Sequence, residues 1–288
     1  MVDAAFLEDL PGISPAVYGT ADFDAIARLV YDEAGIVLAR GKAMLVYSRI
    51  APLVRNSGCA TFSAYLEQVR ADPAERMRTV TALTTNHTFF YREEHHFAHF
   101  AAEVRPDMVR RLEAGQPVRM WSAGCSSGEE TWSLVMTLLG SDLAEGRRIA
   151  GRDVLVLASD IAPHALTKAE AARYEAKDLA PVPAALVQNW TRSDGSHAEI
   201  GGEARRIVRF RSLNLQGEWP MRGRFDVIFC RNVMIYFDLP TKERLIQRFT
   251  QLIAPGGHLY IGHSERATGP AAAELELIGP TIYRRRNS

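Results

Sequence analysis

The sequence predicts an all-α N-terminal domain over residues 16–100, a linker helix over 101–116, and an α/β domain over 117–288 built on a parallel, doubly wound sheet. Two observations carry this. In the first hundred residues apolar side chains recur at helical spacing and strand-like alternation is nearly absent. From Val118 onward, short β-rich runs are separated by helical stretches, the pattern of a parallel sheet with crossover helices. A length of 288 residues accommodates two domains, and 47% hydrophobic residues supply a sizeable core without disulfide staples.

Taken in order, Phe23, Ile26, Leu29 and Val30 follow Asp22, a candidate N-cap, and precede Gly35, so a helix is expected from about Asp22 to Ala34. Met44, Leu45, Ser48, Leu53 and Val54 form a second apolar set interrupted by Pro52, and Phe62, Tyr65, Leu66 and Val69 a third, short amphipathic helix. Glu103 to Gly115 reads as a polar linking helix. Strands are expected at Val118–Ser122, Val154–Ser159, Phe225–Cys230 and His258–Gly262, with a helix over Glu129–Leu139.

Lys and Arg number 34 and Asp and Glu number 34, so zero net charge argues against a dedicated nucleic-acid binder. Cys59, Cys125 and Cys230 are odd in number, far apart and without a CxxC, a reduced, cytosolic usage. The opening MVDAAFLEDL is acidic where a secretory signal would be basic, and nowhere do 18 apolar residues run without a charge. Neither export nor stable membrane insertion is expected.

The sharpest chemical signal opens the α/β domain. After the strand at Val118, the run SAGCSSG (Ser122 to Gly128) is a small-residue turn leading into a helix, which brings backbone amides near a ligand at a helix N-terminus. Its spacing is G-x-x-x-G and lacks the full G-x-G-x-x-G, so support for pyrophosphate binding is weak. Asp160 ends the next strand, where an acid can bind ribose hydroxyls or, alternatively, cap the helix near Pro163. FDVIFCRNVMIYFD delivers Arg231, Asn232 and Tyr236 at the carboxyl end of a buried strand, while Asp238 reads as a helix cap. In TTNHTFFYREEHHF, Asn86, Thr88 and Arg92 alternate with aromatic residues. His95, His96 and His99 lack a zincin spacing and a completing carboxylate, so they are expected to line a helix surface.

NHTFFYRE, WSAGCSSGEE, LASDI, RSLNL, FCRNVMIYFD and LYIGHSE occur in an order that resembles the chemotaxis receptor methyltransferases, the CheR family, over nearly the whole chain. The resemblance implies a helical N-terminal domain followed by a Rossmann-like methyltransferase domain with a small inserted antiparallel β-subdomain, here near 183–212. It implies transfer of a methyl group from S-adenosyl-L-methionine to receptor glutamates. It further implies cofactor contacts at Asn86, Thr88, Arg92, Glu129, Asp160, Asn214, Leu215, Arg231 and Asn232. The cofactor has no phosphate, so a degenerate glycine motif suffices. Glu129 and Glu130 also read as first-turn acids that complement the helix dipole, the reading preferred for Glu130.

Methyl transfer to a carboxylate oxygen needs no general base, because a glutamate with pKa near ~4.3 is ionised at neutral pH. Arg92 and Tyr236 are the candidates for holding the acceptor carboxylate; Arg92 could equally hold the methionine carboxylate. An amino-group nucleic-acid methyltransferase is disfavoured because Val233, Met234 and Ile235 follow Asn232 in place of Pro-Pro-aromatic. The missing phosphate fingerprint disfavours an NAD-dependent dehydrogenase, and Arg92, Asn232 and Tyr236 together argue against a non-catalytic S-adenosylmethionine-binding signalling module. Between Ala34 and Leu66 there is no acidic residue, yet Arg40, Lys42, Arg49 and Arg55 fall there. By composition alone this is an ordinary solvated face; the resemblance implies acidic receptor helices, and on that ground Arg49 and Arg55 are expected to contact them. The chain is expected to act as a cytoplasmic monomer.

Overall fold

A computed structural model describes residues 13–287, which divide into two compact units. The acidic N-terminal decapeptide lies outside the described residues. The first unit runs to Thr85 and includes Tyr236–Asp238. It holds helices α1 (Thr20–Ala34), α2 (Ala43–Asn56), α3 (Phe62–Ala71) and α4 (Pro73–Ala82). The expected apolar faces of α1 and α3 turn inward, with Phe23, Ile26 and Val30 of α1 and Phe62, Tyr65, Leu66 and Val69 of α3 buried and Leu29 half-buried. In α2 the expected set is corrected, since of its members only Val54 is buried, Met44 and Ser48 are exposed, and the buried face is Val46, Ile50 and Val54. Tyr18 packs its ring 4.5 Å from that of Phe62. The expected cap of α1 is displaced: Gly19 is the N-cap and Asp22 sits in the first turn, its carboxylate accepting from Gly19 N–H at 2.9 Å and from Ser63 Oγ at 2.7 Å. Pro52 lies inside α2 but on its exposed side, where the carbonyl it leaves unbonded can meet water.

Within the first unit, Ile36 bridges Phe237 and Val37 N–H donates to the Tyr236 carbonyl at 2.9 Å. Tyr31 donates to the Asp238 carboxylate at 2.8 Å.

The second unit comprises Asn86–Ile235 and the chain from Leu239. Its elements are α5 (Glu94–His99), α6 (Arg105–Glu113), β1 (Val118–Ala123), α7 (Glu129–Leu139), α8 (Leu143–Ala150), β2 (Val154–Asp160) and α9 (Pro163–Ala171). There follow β3 (Arg173–Glu175), α10 (Ala184–Trp190), β4 (Thr191–Ser193), β5 (His197–Ile200), α11 (Gly202–Arg206) and β6 (Val208–Ser212). The unit ends with β7 (Phe225–Cys230), α12 (Leu239–Leu252), β8 (Ile253–Ile261), β9 (Leu275–Gly279) and β10 (Ile282–Arg285).

The main sheet has the order β6-β2-β1-β7-β8-β10-β9, parallel through β8 and antiparallel at β10 and β9. The order reverses between β1 and β7, which opens a crevice at their carboxyl ends. The small antiparallel sheet, β3-β5-β4, runs from Arg173 to Ile200, beginning before residue 183. Val208–Ser212, placed by sequence in the insert, instead pairs with β2 in the main sheet.

The segment read as a polar linking helix packs into this unit. Phe100, Val104, Met108 and Leu112, spaced by four, are buried in its core together with β1 and α7. A π-helical turn over Phe100–Val104 precedes α6.

Candidate functional site

The site is built where β1, β2, β7 and β8 end. After β1, the turn Gly124–Gly128 folds onto the end of β2: Gly124 N–H and Cys125 N–H both donate to Ser159 O, at 2.8 and 2.9 Å, and Ser126 N–H donates to Asp160 Oδ2 at 2.8 Å. Gly124 has φ 77°, and a Cβ there would stand 2.4 Å from Val233 Cγ2 in the segment after β7, so only glycine fits. These amides are spent on protein acceptors. These three are not open to a pyrophosphate, and Glu129 and Glu130 bring carboxyls to the N-terminus of α7, where they disfavour a phosphate.

Asp160 is buried at the end of β2 and its Oδ1 accepts from Ala162 N–H at 2.9 Å. It thus organises two loops, while each oxygen keeps a second lone pair for a ligand hydroxyl. Burial pushes its carboxyl up, against the pull of those N–H groups. The N-cap of α9 is Ala162, with no side-chain cap, so Asp160 braces the turn ahead of the helix and does not cap it, a role compatible with a ligand. Beside it Leu213 N–H donates to Asp160 O at 3.0 Å, which places Asn214 and Leu215 directly after this anchor. Asn214 Oδ1 accepts from Gln216 N–H, and the Leu215 carbonyl accepts from Arg248 at 2.7 Å, whose guanidinium stacks 3.7 Å from the Trp219 ring centroid.

Asn86 joins the same edge: its carbonyl accepts from Ser126 Oγ at 2.9 Å and its amide meets His164 Nε2 at 2.9 Å. Thr88 is half-buried two residues on. Arg92 lies over the exposed Phe89 ring, 5.7 Å from its centroid, and donates to His87 O at 3.1 Å. Glu129 accepts from Ser127 Oγ at 2.7 Å and pairs with Lys168 at 3.3 Å.

Glu130, expected only to complement the helix dipole, is a buried partner: its oxygens accept from Ser122 Oγ at 2.8 Å and from Arg231 Nη1 at 3.3 Å. Burial raises its carboxyl, with Arg231 opposing. The Arg231 side chain is 1% exposed, held between Glu130 and Glu93 at 3.3 Å each and by the Arg92 carbonyl. Its two Nη atoms meet these protein partners, while its Nε has no hydrogen-bond partner.

Asn232 follows in a left-handed conformation, φ 58°. Its N–H donates to Glu265 Oε2 at 3.1 Å and its Nδ2 to Glu93 Oε1 at 3.2 Å. Gly262 packs so closely that a Cβ would meet Asn232 Nδ2 at 2.5 Å. Glu265, buried, also accepts from Gly262 N–H and from Ile235 N–H at 3.1 Å. Tyr236 belongs to the first unit, where its main chain is bonded as described.

Sequence reasoning missed Glu93 and Glu265. Both lie inside the quoted motifs, but nothing in a polar stretch such as YREEHH distinguishes a buried acid from a solvated one. Burial alone would raise the Glu93 carboxyl; its bond to His263 at 2.8 Å, Arg231 and Asn232 outweigh that and hold it well below the usual carboxylate range. The expectation that the histidines line a helix surface is corrected at two positions. His96 is fully buried, with Nε2 3.0 Å from Thr281 Oγ1, and His99 Nδ1 meets the Tyr260 hydroxyl at 2.9 Å; only His95 is exposed. Among the described residues no three His, Cys, Asp or Glu side chains converge as metal ligands. Nor is any helix among them long and apolar enough to cross a membrane.

A switch-point crevice with an acid at the end of β2, a turn whose first three amides are already bonded and an antiparallel β10 between β8 and β9 are the features of an S-adenosylmethionine-dependent methyltransferase domain. Residues 86–281 match the family described as CheR methyltransferase, SAM binding domain, and residues 21–84 the CheR methyltransferase all-alpha domain. The chain belongs to the CheR methyltransferase family. It is 42% identical over 266 residues to a probable chemotaxis protein methyltransferase of Rhizobium etli, covering 89% of this chain and 96% of that one. It is 41% identical over 272 residues to a chemotaxis protein methyltransferase of Klebsiella aerogenes (91% and 89%) and 38% over 271 residues to that of Escherichia coli (91% and 90%).

Proposed function

We propose that this chain transfers the methyl group of S-adenosyl-L-methionine to glutamate side chains of chemotaxis receptors, forming glutamyl methyl esters and S-adenosylhomocysteine during sensory adaptation. The observation that carries this reading is the β1–α7 turn, whose Gly124, Cys125 and Ser126 amides are bonded to Ser159 and Asp160, surroundings that suit a nucleoside better than a phosphate. The full-length similarity to chemotaxis protein methyltransferases supports the receptor as substrate.

In this reading Asp160 accepts from the ribose hydroxyls, and Asn214 and Leu215 border the adenine edge. Asn86, Thr88, Glu129 and Asn232 complete the cofactor's surroundings. The Arg231 side chain serves the site by fixing Glu93 and Glu130. The cofactor supplies an electrophilic methyl group on a sulfonium. Arg92 orients the acceptor carboxylate, which is already ionised, so the chain contributes alignment and electrostatics without a general base. A weak hold on that carboxylate is required, since a tight ground-state ion pair would raise the barrier. The protein works as a cytoplasmic monomer, and it takes no nucleic acid, the last of these supported by its zero net charge.

Incubation with a methyl-tritiated donor and membranes containing candidate receptors tests the proposal. Label on the receptor that base releases as methanol is the expected result. Base-stable label, or label on nucleic acid, would overturn it.

A further inference from the structure

Three of the buried side-chain atoms without a hydrogen-bond partner, Glu93 Oε2, His96 Nδ1 and Arg231 Nε, belong to one cluster beside Asn232. Glu93 is its centre. The residue is held at φ 57°, an uncommon conformation for a non-glycine, and its side chain is 10% exposed. Its Oε1 accepts from Asn232 Nδ2 at 3.2 Å, from His263 N–H at 3.2 Å and from His263 Nδ1 at 2.8 Å.

A carboxylate accepts and does not donate, so the atom of Asn232 that faces Glu93 must be the amide nitrogen. Glu265 fixes the same residue from its backbone. With both held, the carboxamide oxygen is turned away from Glu93, and among the described residues no donor meets it. Asn232 is bonded to two carboxylates, Glu93 and Glu265. The groups facing Glu93 are Arg231, shared with Glu130, and the imidazoles of His263 and His96, so the three carboxylates have one permanent cation among them and the donor that the oxygen suits is cationic.

We propose that Glu93 is a positioning residue that locks the Asn232 carboxamide with its oxygen toward the cofactor, where it accepts from the α-ammonium of the methionine moiety. This rests on the place of Asn232 in the cofactor site proposed above.

The test is calorimetric, on the full chain, with two probes: S-adenosylhomocysteine, which carries the ammonium, and 5′-methylthioadenosine, which lacks the whole amino-acid end. Glu93→Gln and Asn232→Ala should each weaken S-adenosylhomocysteine about tenfold or more, as for a lost charge-assisted bond, and leave methylthioadenosine within about twofold. The double variant should be no worse than either single one, because both break one contact. Equal losses for both probes would mark Glu93 as a merely structural group and overturn the inference, as would multiplicative losses in the double variant. Should Glu93→Gln not fold, Asn232→Asp decides. Facing Glu93 it sets carboxylate against carboxylate and must bind S-adenosylhomocysteine less well than wild type, whereas an aspartate free of Glu93 would bind the ammonium better. Failure of the wild-type chain to bind S-adenosylhomocysteine would overturn the cofactor reading as well. Loss on Asn232→Ala with none on Glu93→Gln would overturn this inference alone.

Discussion

Arg49 and Arg55 were both expected to meet a receptor, and the structure separates them. Arg49 is half-buried and its Nη1 donates to Leu83 O at 3.1 Å and Thr84 O at 2.7 Å, with Thr85 Oγ1 at 3.5 Å. The guanidinium therefore closes the C-terminus of α4, where carbonyls lack helical partners and a cation is favoured. Arg55 is exposed and makes no ion pair or side-chain hydrogen bond among the described residues. Replacing Arg49 by Ala removes two well-placed charge-assisted bonds whose carbonyls partly rehydrate, a loss of about 2 kcal/mol to the first unit. For a unit of this size, that lowers its unfolding midpoint by roughly 8 to 16 °C. Scanning calorimetry of the full chain reads this, and Arg55→Glu should leave the midpoint in place while raising the apparent KM for receptor in a salt-sensitive way. An Arg49→Ala protein that melts like wild type yet loses receptor affinity would refute the helix-closing role and return Arg49 to the docking face.

Asp160→Ala should weaken S-adenosylhomocysteine by about 1 to 3 kcal/mol in calorimetry; unchanged affinity would leave Asp160 only its bonds to Ser126 and Ala162. Glu265→Gln should cost about 2 to 4 kcal/mol in urea unfolding, because one amide oxygen cannot serve the N–H groups of Asn232, Ile235 and Gly262, and a loss below about 1 kcal/mol would contradict that count. Burial lowers the imidazole of His96, and lowers that of His258 to about 4. Both are neutral in the folded chain while the unfolded chain protonates them below about 6.5, so stability is full above that pH and falls as pH drops toward the folded values, by up to ~2.7 kcal/mol per pH unit for the two. His258→Gln should halve that slope between pH 6.5 and 4.5; an unchanged slope would assign it to other groups.

What the sequence made legible was local pattern. β7 and α7 are found residue for residue, since an apolar run bounded by polar residues and a small-residue turn followed by an apolar helix are local signals. β8 begins at Ile253, five residues before the expected His258, because Pro255, Gly256 and Gly257 read as a loop; the pairing with β7 is irregular there. β3 is three residues long and gives no periodicity to detect. Val208–Ser212 reads as a strand, but nothing local says which sheet it joins, and the partner proved to be β2. The same limit applies to the site. Asp160 and Asn232 stand at strand ends where chemistry is expected, whereas Glu93 and Glu265 act through partners 139 and 33 residues away.

The buried ion pairs of Arg231 are costly to form and a poor source of stability, because removing the ions from water roughly cancels their attraction, and well-packed apolar residues of the same volume would serve a core at least as well. The network therefore has to be explained by what it fixes. Arg231 ties the end of β7 to Glu130 on α7 and to Glu93 ahead of α5; Glu93 continues to Asn232 and His263, and Glu265 returns from the end of β8 to the backbone of Asn232 and Ile235. Each link is directional, and together they hold segments distant in sequence at the mouth of one crevice. An apolar plug could keep those segments together, but it could not choose which atom of Asn232 faces outward. In a reaction whose nucleophile needs no base, a fixed acceptor beside the cofactor is the kind of contribution left for the protein to make.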